Sequence, residues 1–191
     1  MTVLVLGSNG SGKSMYAEKL ATRFSTGALY YVATMVPYGD EGQARVEKHK
    51  KQRGSMGFIT VEKPFYVSEI PFRPDSVVLL EDVSNLVGNA LFDGNRDGSE
   101  AGRGANDAPL LAPATWNSVF ADIAAMCAKC RDVVLVSIDG LSVQPEYDEE
   151  TCGYIYTLNR LNTRLADFSD TVVKMCGGAP VFVKGEAYAL D

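Results

Sequence analysis

The chain has one histidine and four cysteines in 191 residues, no apolar run of membrane length, and no excess of positive charge. Each shortage removes a class of function. Cys127 and Cys130 form a Cys-x-x-Cys, but zinc needs two further ligands, and neither a second cysteine pair nor a nearby histidine offers them. The pair ends the helical pattern Asn117–Cys130, far from the helix N-terminus that activates a thiol. With Cys152 and Cys176, these read as ordinary cytosolic thiols. Eighteen Lys and Arg against twenty-four Asp and Glu leave a formal net charge of −6, so no overall basic field exists to attract nucleic acid. The opening apolar run Val3–Leu6 is too short for a signal peptide or a membrane span and has no basic segment before it. The expectation is a cytoplasmic protein without membrane insertion.

What is present reads as one domain over residues 1–191: the length suits one well-buried core and is short for two. Strand-like and helix-like segments alternate along it. Thr2–Gly7 is a short continuous apolar run, as in a strand buried on both faces. A helix over about Lys13–Phe24, a strand Ala28–Thr34, a helix around Asp40–Gly54 and a short strand in Gly57–Lys63 follow. Ser76–Asp82 is another buried strand, leading into a helix through Phe92. Asp93–Asp107, rich in Gly, Asp and Asn, reads as a loop. A helix over about Thr115–Cys130, a strand Asp132–Asp139 and a helix over roughly Glu149–Phe168 come next. Two closing strands, Thr171–Cys176 and Val181–Glu186, are joined by Gly177–Pro180. The alternation predicts an α/β fold of the P-loop NTPase type: a mainly parallel sheet flanked by helices, with an antiparallel strand added at one edge near the C-terminus.

Gly7-Ser8-Asn9-Gly10-Ser11-Gly12-Lys13-Ser14 satisfies G-x-x-x-x-G-K-[S/T], after a buried strand and at the start of a helix. Glycines let the backbone curl so that successive N–H groups face phosphate oxygens, and the helix N-terminus adds partial positive charge. Lys13 would neutralise the outer phosphates and Ser14 would hold Mg²⁺. The Ser76–Asp82 strand ends in two acids, as a Walker B strand does. Glu81 or Asp82 would then act on Mg²⁺ or on the nucleotide, beside the alternative that both are solvated acids at a strand end.

The one histidine, His49, lies in Gln43–Arg53, which carries five Lys and Arg against the single carboxylate of Glu47. On a helix, Arg45, His49 and Arg53 share a rough stripe. Ala44 and Val46 are the stretch's only apolar residues, too few for a core-facing stripe. The bland alternative is a solvated face with a surface histidine. The chemical one is that the cations bind nucleotide phosphates and favour the neutral imidazole, which can attack an α-phosphate and hold the nucleotidyl group as a phosphoramidate.

In this order the residues resemble the bifunctional adenosylcobinamide kinase/adenosylcobinamide-phosphate guanylyltransferases of cobalamin biosynthesis. The likeness runs from the phosphate loop through Tyr31-Val32-Ala33-Thr34, Asp40-Glu41 and Arg45-x-x-x-His49-x-x-x-Arg53. It continues through Leu79-Leu80-Glu81 and Asn89-Ala90-Leu91-Phe92 to Leu161-Asn162-Thr163-Arg164-Leu165-Ala166. The chain departs from the family pattern at Ile138–Pro145, where Asp139 stands near the family's glutamate, at Asn159, and at Thr34-Met35. The resemblance implies that His49 is guanylylated. It also implies GTP contacts at Ala33, Thr34, Met35, Lys50, Lys51, Gln52, Arg53, Glu62 and Glu81.

The resemblance further implies GTP and ATP as substrates with Mg²⁺, adenosylcobinamide and its phosphate as acceptors, and a homotrimer. Two rival readings remain: a small-molecule P-loop kinase without a covalent histidine, and a non-catalytic nucleotide-binding member.

Overall fold

The computed structural model describes residues 1–36, 56–93 and 113–188. The helix expected at Asp40–Gly54 lies outside these residues, as does the loop expected at Asp93–Asp107 except for Asp93 itself. The described elements are β1 (Thr2–Gly7), α1 (Lys13–Phe24), β2 (Leu29–Ala33), β3 (Ile59–Glu62), β4 (Val77–Glu81) and α2 (Val83–Gly88). They continue as α3 (Pro113–Cys127), β5 (Asp132–Ile138), α4 (Glu149–Phe168), β6 (Thr171–Cys176) and β7 (Ala179–Lys184). A 3₁₀ turn spans Val67–Glu69, and a π turn, Asn89–Asp93, prolongs α2.

The seven strands form one sheet in the order β3-β2-β4-β5-β1-β6-β7. The first six are parallel, and β7 runs antiparallel to β6 at the edge. This is the expected P-loop-type α/β sheet with its antiparallel addition. The closing hairpin is tighter than expected: β7 starts at Ala179, leaving Gly177-Gly178 as the turn, both with positive φ. Pro180 is tolerated inside β7 because the strand is an edge. The helix expected to reach Cys130 ends at Cys127, and its last residues form a turn.

Period-two alternation decides which helix covers which face. Val3 and Val5, Leu29 and Tyr31, Val77 and Leu79, and Val134 and Val136 pack against Tyr16, Ala17, Leu20 and Ala21 of α1. Their neighbours Leu4, Val32, Val78, Leu80, Val133 and Leu135 pack on the opposite face. Val83, Leu86 and Val87 of α2, Ile123 and Met126 of α3, and Leu158, Leu161 and Leu165 of α4 cover that face. The continuous apolar runs of β1, β4 and β5 are thus explained by helices on both sides. Asp148 starts α4 by accepting the Thr151 N–H at 2.7 Å, and Glu149 and Glu150 follow in the first turn, where the helix dipole favours acids.

Among the described residues, no helix is long and apolar enough to cross a membrane.

Candidate active site

Two local requirements shape the turn between β1 and α1. Gly12, the residue before α1, has φ +84°, a left-handed conformation in which a side chain is strained. A Cβ on Gly7 would collide with the Ser11 side chain and come within 3.1 Å of Met175 Cβ. The loop closes on itself through the Ser11 N–H, which donates to the Ser8 carbonyl at 3.2 Å. Lys13 is buried at 7% exposure, with Nζ 3.4 Å from the Ser8 carbonyl. The ammonium is therefore folded back over the loop, where a phosphate would sit.

Ser14 donates its hydroxyl to Glu81 Oε1 at the end of β4. In the sheet β4 is not the neighbour of β1, because β5 lies between them. The contact forms because α1 lies across β5 and β4, carrying its first turn toward the β4 terminus. Glu81 Oε2 is buried without a hydrogen-bond partner of normal geometry. Burial holds the Glu81 carboxyl above its ordinary range; the nearby charges of Asp82 and Glu18 add to this, while Ser14 and Tyr31 oppose it.

Asp82, the other candidate acid, is occupied differently. Its Oδ1 accepts the Asn85 N–H at 2.8 Å and the Ser84 hydroxyl at 2.5 Å, which makes it the N-cap of α2. The pair left open by the sequence therefore divides: Glu81 faces the phosphate loop and Asp82 starts a helix. An oxygen-only set of one hydroxyl, one carboxylate and nucleotide phosphates suits Mg²⁺, which keeps several waters and needs few protein ligands. The buried Glu81 Oε2, without a hydrogen-bond partner of normal geometry, fits that use.

Ala33, Glu62 and Glu81 fall in one register row across β2, β3 and β4. All three lie at the carboxyl rim, where open α/β sheets bind ligands. Thr34, wholly buried, comes next in the chain. Its N–H donates to the Glu81 carbonyl at 3.1 Å, and its hydroxyl exchanges hydrogen bonds with the Asp82 N–H at 2.7 Å and the Asp82 carbonyl at 2.8 Å. Met35 is exposed beyond it. The structure thus brings together Gly7–Ser14, Ala33, Thr34, Glu62 and Glu81 at one rim. His49, Arg45, Lys50, Lys51, Gln52 and Arg53 lie outside the described residues.

The departing segment Ile138–Pro145 also meets the phosphate loop. The Asp139 N–H donates to the Gly7 carbonyl at 3.2 Å, and the Asp139 carboxylate pairs with Lys174 at 2.6 Å. Asn162 secures the end of β5, accepting the Ser137 hydroxyl at 2.7 Å and donating to the Ile138 carbonyl at 2.8 Å. Asn159 donates to the Leu141 carbonyl at 3.1 Å. Two departures from the family pattern therefore touch one another.

Sequence reasoning quoted Asn89 and Asn162 without assigning them a task and passed over Lys174. For Asn89 the available signal was an amide residue among apolar neighbours, Leu86, Val87, Ala90 and Leu91, which must find buried partners. The Cys-x-x-Cys is explained by burial: Cys127 packs against the core, and its thiol is pushed up to about 12. Burial also raises Cys130, and all four cysteines are free thiols.

The chain is 32% identical to the bifunctional adenosylcobalamin biosynthesis protein CobU of Escherichia coli K12, over 96% of this chain and 100% of that protein. Among solved structures, it is similar to the flagellar accessory protein FlaH of Methanocaldococcus jannaschii, with a TM-score of 0.44, 13% identity, and coverage of 96% of this chain and 78% of that one. It is also similar to a prototypical ATPase from the type III secretion system of pathogenic bacteria, with a TM-score of 0.49, 12% identity, and coverage of 91% and 50%. Likenesses that low say nothing about activity. The family profile described as cobinamide kinase / cobinamide phosphate guanyltransferase matches residues 3–183. With its phosphate loop set against Glu81 and this match over nearly its whole length, the chain belongs to the cobinamide kinase / cobinamide phosphate guanyltransferase family.

Proposed function

We propose that this chain, acting as one P-loop nucleotide-binding domain over residues 1–191, phosphorylates adenosylcobinamide and then attaches GMP to the product. The observation that carries the reading is the Ser14–Glu81 contact beside the buried Lys13 at the carboxyl rim of the sheet. In the first reaction the hydroxyl oxygen of the aminopropanol arm of adenosylcobinamide attacks the γ-phosphorus of ATP or GTP; the bond to the β–γ bridging oxygen breaks, ADP or GDP leaves, and the hydroxyl proton passes to solvent. Loop N–H groups hold the phosphates, and Lys13 stabilises charge on the transferring group. Ser14 and Glu81 would hold Mg²⁺, whose chemistry is to neutralise the phosphate oxygens.

In the second reaction His49 attacks the α-phosphorus of GTP. A P–N bond forms, the bond to the β-phosphate oxygen breaks, and pyrophosphate leaves. The acceptor's phosphate then displaces the histidine, giving adenosylcobinamide-GDP. Arg45 and the Lys50, Lys51, Gln52 and Arg53 run would hold GTP phosphates, with Ala33, Thr34, Met35 and Glu62 completing the nucleotide contacts. A cytoplasmic homotrimer belongs to the same reading, by family resemblance.

The test is to incubate the protein with Mg²⁺ and GTP labelled at the α-phosphorus, without corrinoid, and then denature it. Label that resists alkali, is lost in mild acid and is absent from His49→Ala supports the guanylyl-histidine. GTP bound reversibly with no retained label would sink the covalent step and favour a plain kinase or a binding protein.

A further inference from the structure

Three strand ends meet around one buried amide. Asn89 opens the π turn after α2 and is 7% exposed. Its Nδ2 donates to the Thr34 carbonyl at 2.8 Å and to the Pro64 carbonyl at 2.9 Å. Only the NH₂ end of an amide can face two carbonyls, so the partners themselves fix its orientation. Thr34 lies just past β2 and Pro64 just past β3, and Thr34 is itself bonded to both residues at the β4 exit. The Lys63 N–H adds a bond to the Ala33 carbonyl at 2.9 Å, closing the β2–β3 side.

We infer that Asn89 is a positioning residue for nucleotide binding: it locks Thr34 so that the β2 exit and the Glu81 end of β4 keep a fixed relation to Ser14 and the phosphate loop. This rests on the nucleotide-binding reading given above. Asn89 is on the helix side of the sheet away from α1 and touches no phosphate-loop residue through these bonds. Its influence passes through Thr34, whose N–H, hydroxyl and carbonyl are all engaged. Shifting the Thr34 carbonyl loosens the residue that clasps Asp82 and bonds the Glu81 backbone. The backbone carrying the Ser14–Glu81 contact then loses one of its supports. Buried amides that satisfy two carbonyls also cannot be removed neutrally, since both acceptors are left without partners.

The test is calorimetric titration of the α,β-methylene analogues of GTP and ATP, which cannot release pyrophosphate, with Mg²⁺ into wild type, Asn89→Asp and Asn89→Ser. Irreversibly unfolded protein lowers only the stoichiometry, and reversible unfolding raises the apparent dissociation constant by no more than the reciprocal of the folded fraction, which a thermal melt of each variant supplies. Asn89→Asp keeps the shape but turns carboxylate oxygens toward two carbonyls; Asn89→Ser keeps one small donor. Ile123→Val, a conservative trim in the core of α3, serves as a control for general destabilisation. The expected result is a dissociation constant raised about 10- to 100-fold in Asn89→Asp, the range for groups that orient a ligand-holding residue from behind. Asn89→Ser should fall between it and wild type, with Ile123→Val unchanged. Asn89 variants that bind as wild type does, whatever their stability, would overturn the inference. A wild type that binds neither nucleotide would overturn the nucleotide-site reading itself, and the inference with it.

Discussion

Ser14 and Glu81 are 67 positions apart in the chain and in direct hydrogen-bond contact, hydroxyl to carboxylate, across an intervening strand. That contact divides the two acids at the end of β4 into different jobs. Glu81→Gln should therefore raise the Mg²⁺ concentration giving half-maximal kinase activity by about 10- to 100-fold. Asp82→Asn should leave that concentration near wild type, because asparagine serves equally well as an N-cap. A Mg²⁺ titration of initial rates for both variants checks this; equal effects would mean that the division is wrong.

The burial of Cys127 predicts a silent thiol. With its pKa pushed up to about 12, almost none of it is thiolate near pH 8, and the core shields the sulfur. Native protein treated with iodoacetamide should be modified at exposed Cys176 and left unmodified at Cys127. Denatured protein should be modified at both. Mass mapping of the alkylated peptides decides the point, and rapid native labelling of Cys127 would contradict the packing.

Asp148 supplies a prediction in pH. The Thr151 side chain, and then its backbone N–H, hold the Asp148 carboxyl below its ordinary 3.8. A depressed folded value means that the ionised cap stabilises the fold above pH 3.8, and that this contribution disappears as pH falls through the folded pKa. Asp148→Ala should melt at a lower temperature than wild type at pH 7. The gap between the two should narrow as the pH is lowered below 3.8. Thermal melts at a series of pH values measure it; a gap independent of pH would remove the charge from the explanation.

Much of the fold was legible because it rests on local signals. The runs at Thr2–Gly7 and Val77–Glu81 have too many consecutive apolar residues for a half-exposed strand, and both proved buried on two faces. The phosphate loop was legible for a similar reason, since its glycines and Lys13 act within eight consecutive residues. The end of α3 was misread because the cysteine spacing continues the helical period past Cys127, where the backbone already turns. The closing turn was read two residues too long: Ala179 and Pro180 were placed in the connection, yet both pair with β6, Pro180 on an edge strand where it is tolerated.

By itself the sequence determined the strand–helix order of the described residues, the phosphate loop, the basic run around His49 and the family, since these depend on residue types at short, fixed spacing. Only the tertiary structure decided that Glu81 rather than Asp82 meets Ser14, and that Asn89 ties Thr34 to Pro64. It also decided that Asn159 supports the altered segment at Leu141. Those relations depend on where α1 crosses the sheet and on how separate strand ends converge. No spacing along the chain encodes them; they arise when the helices pack onto their two faces.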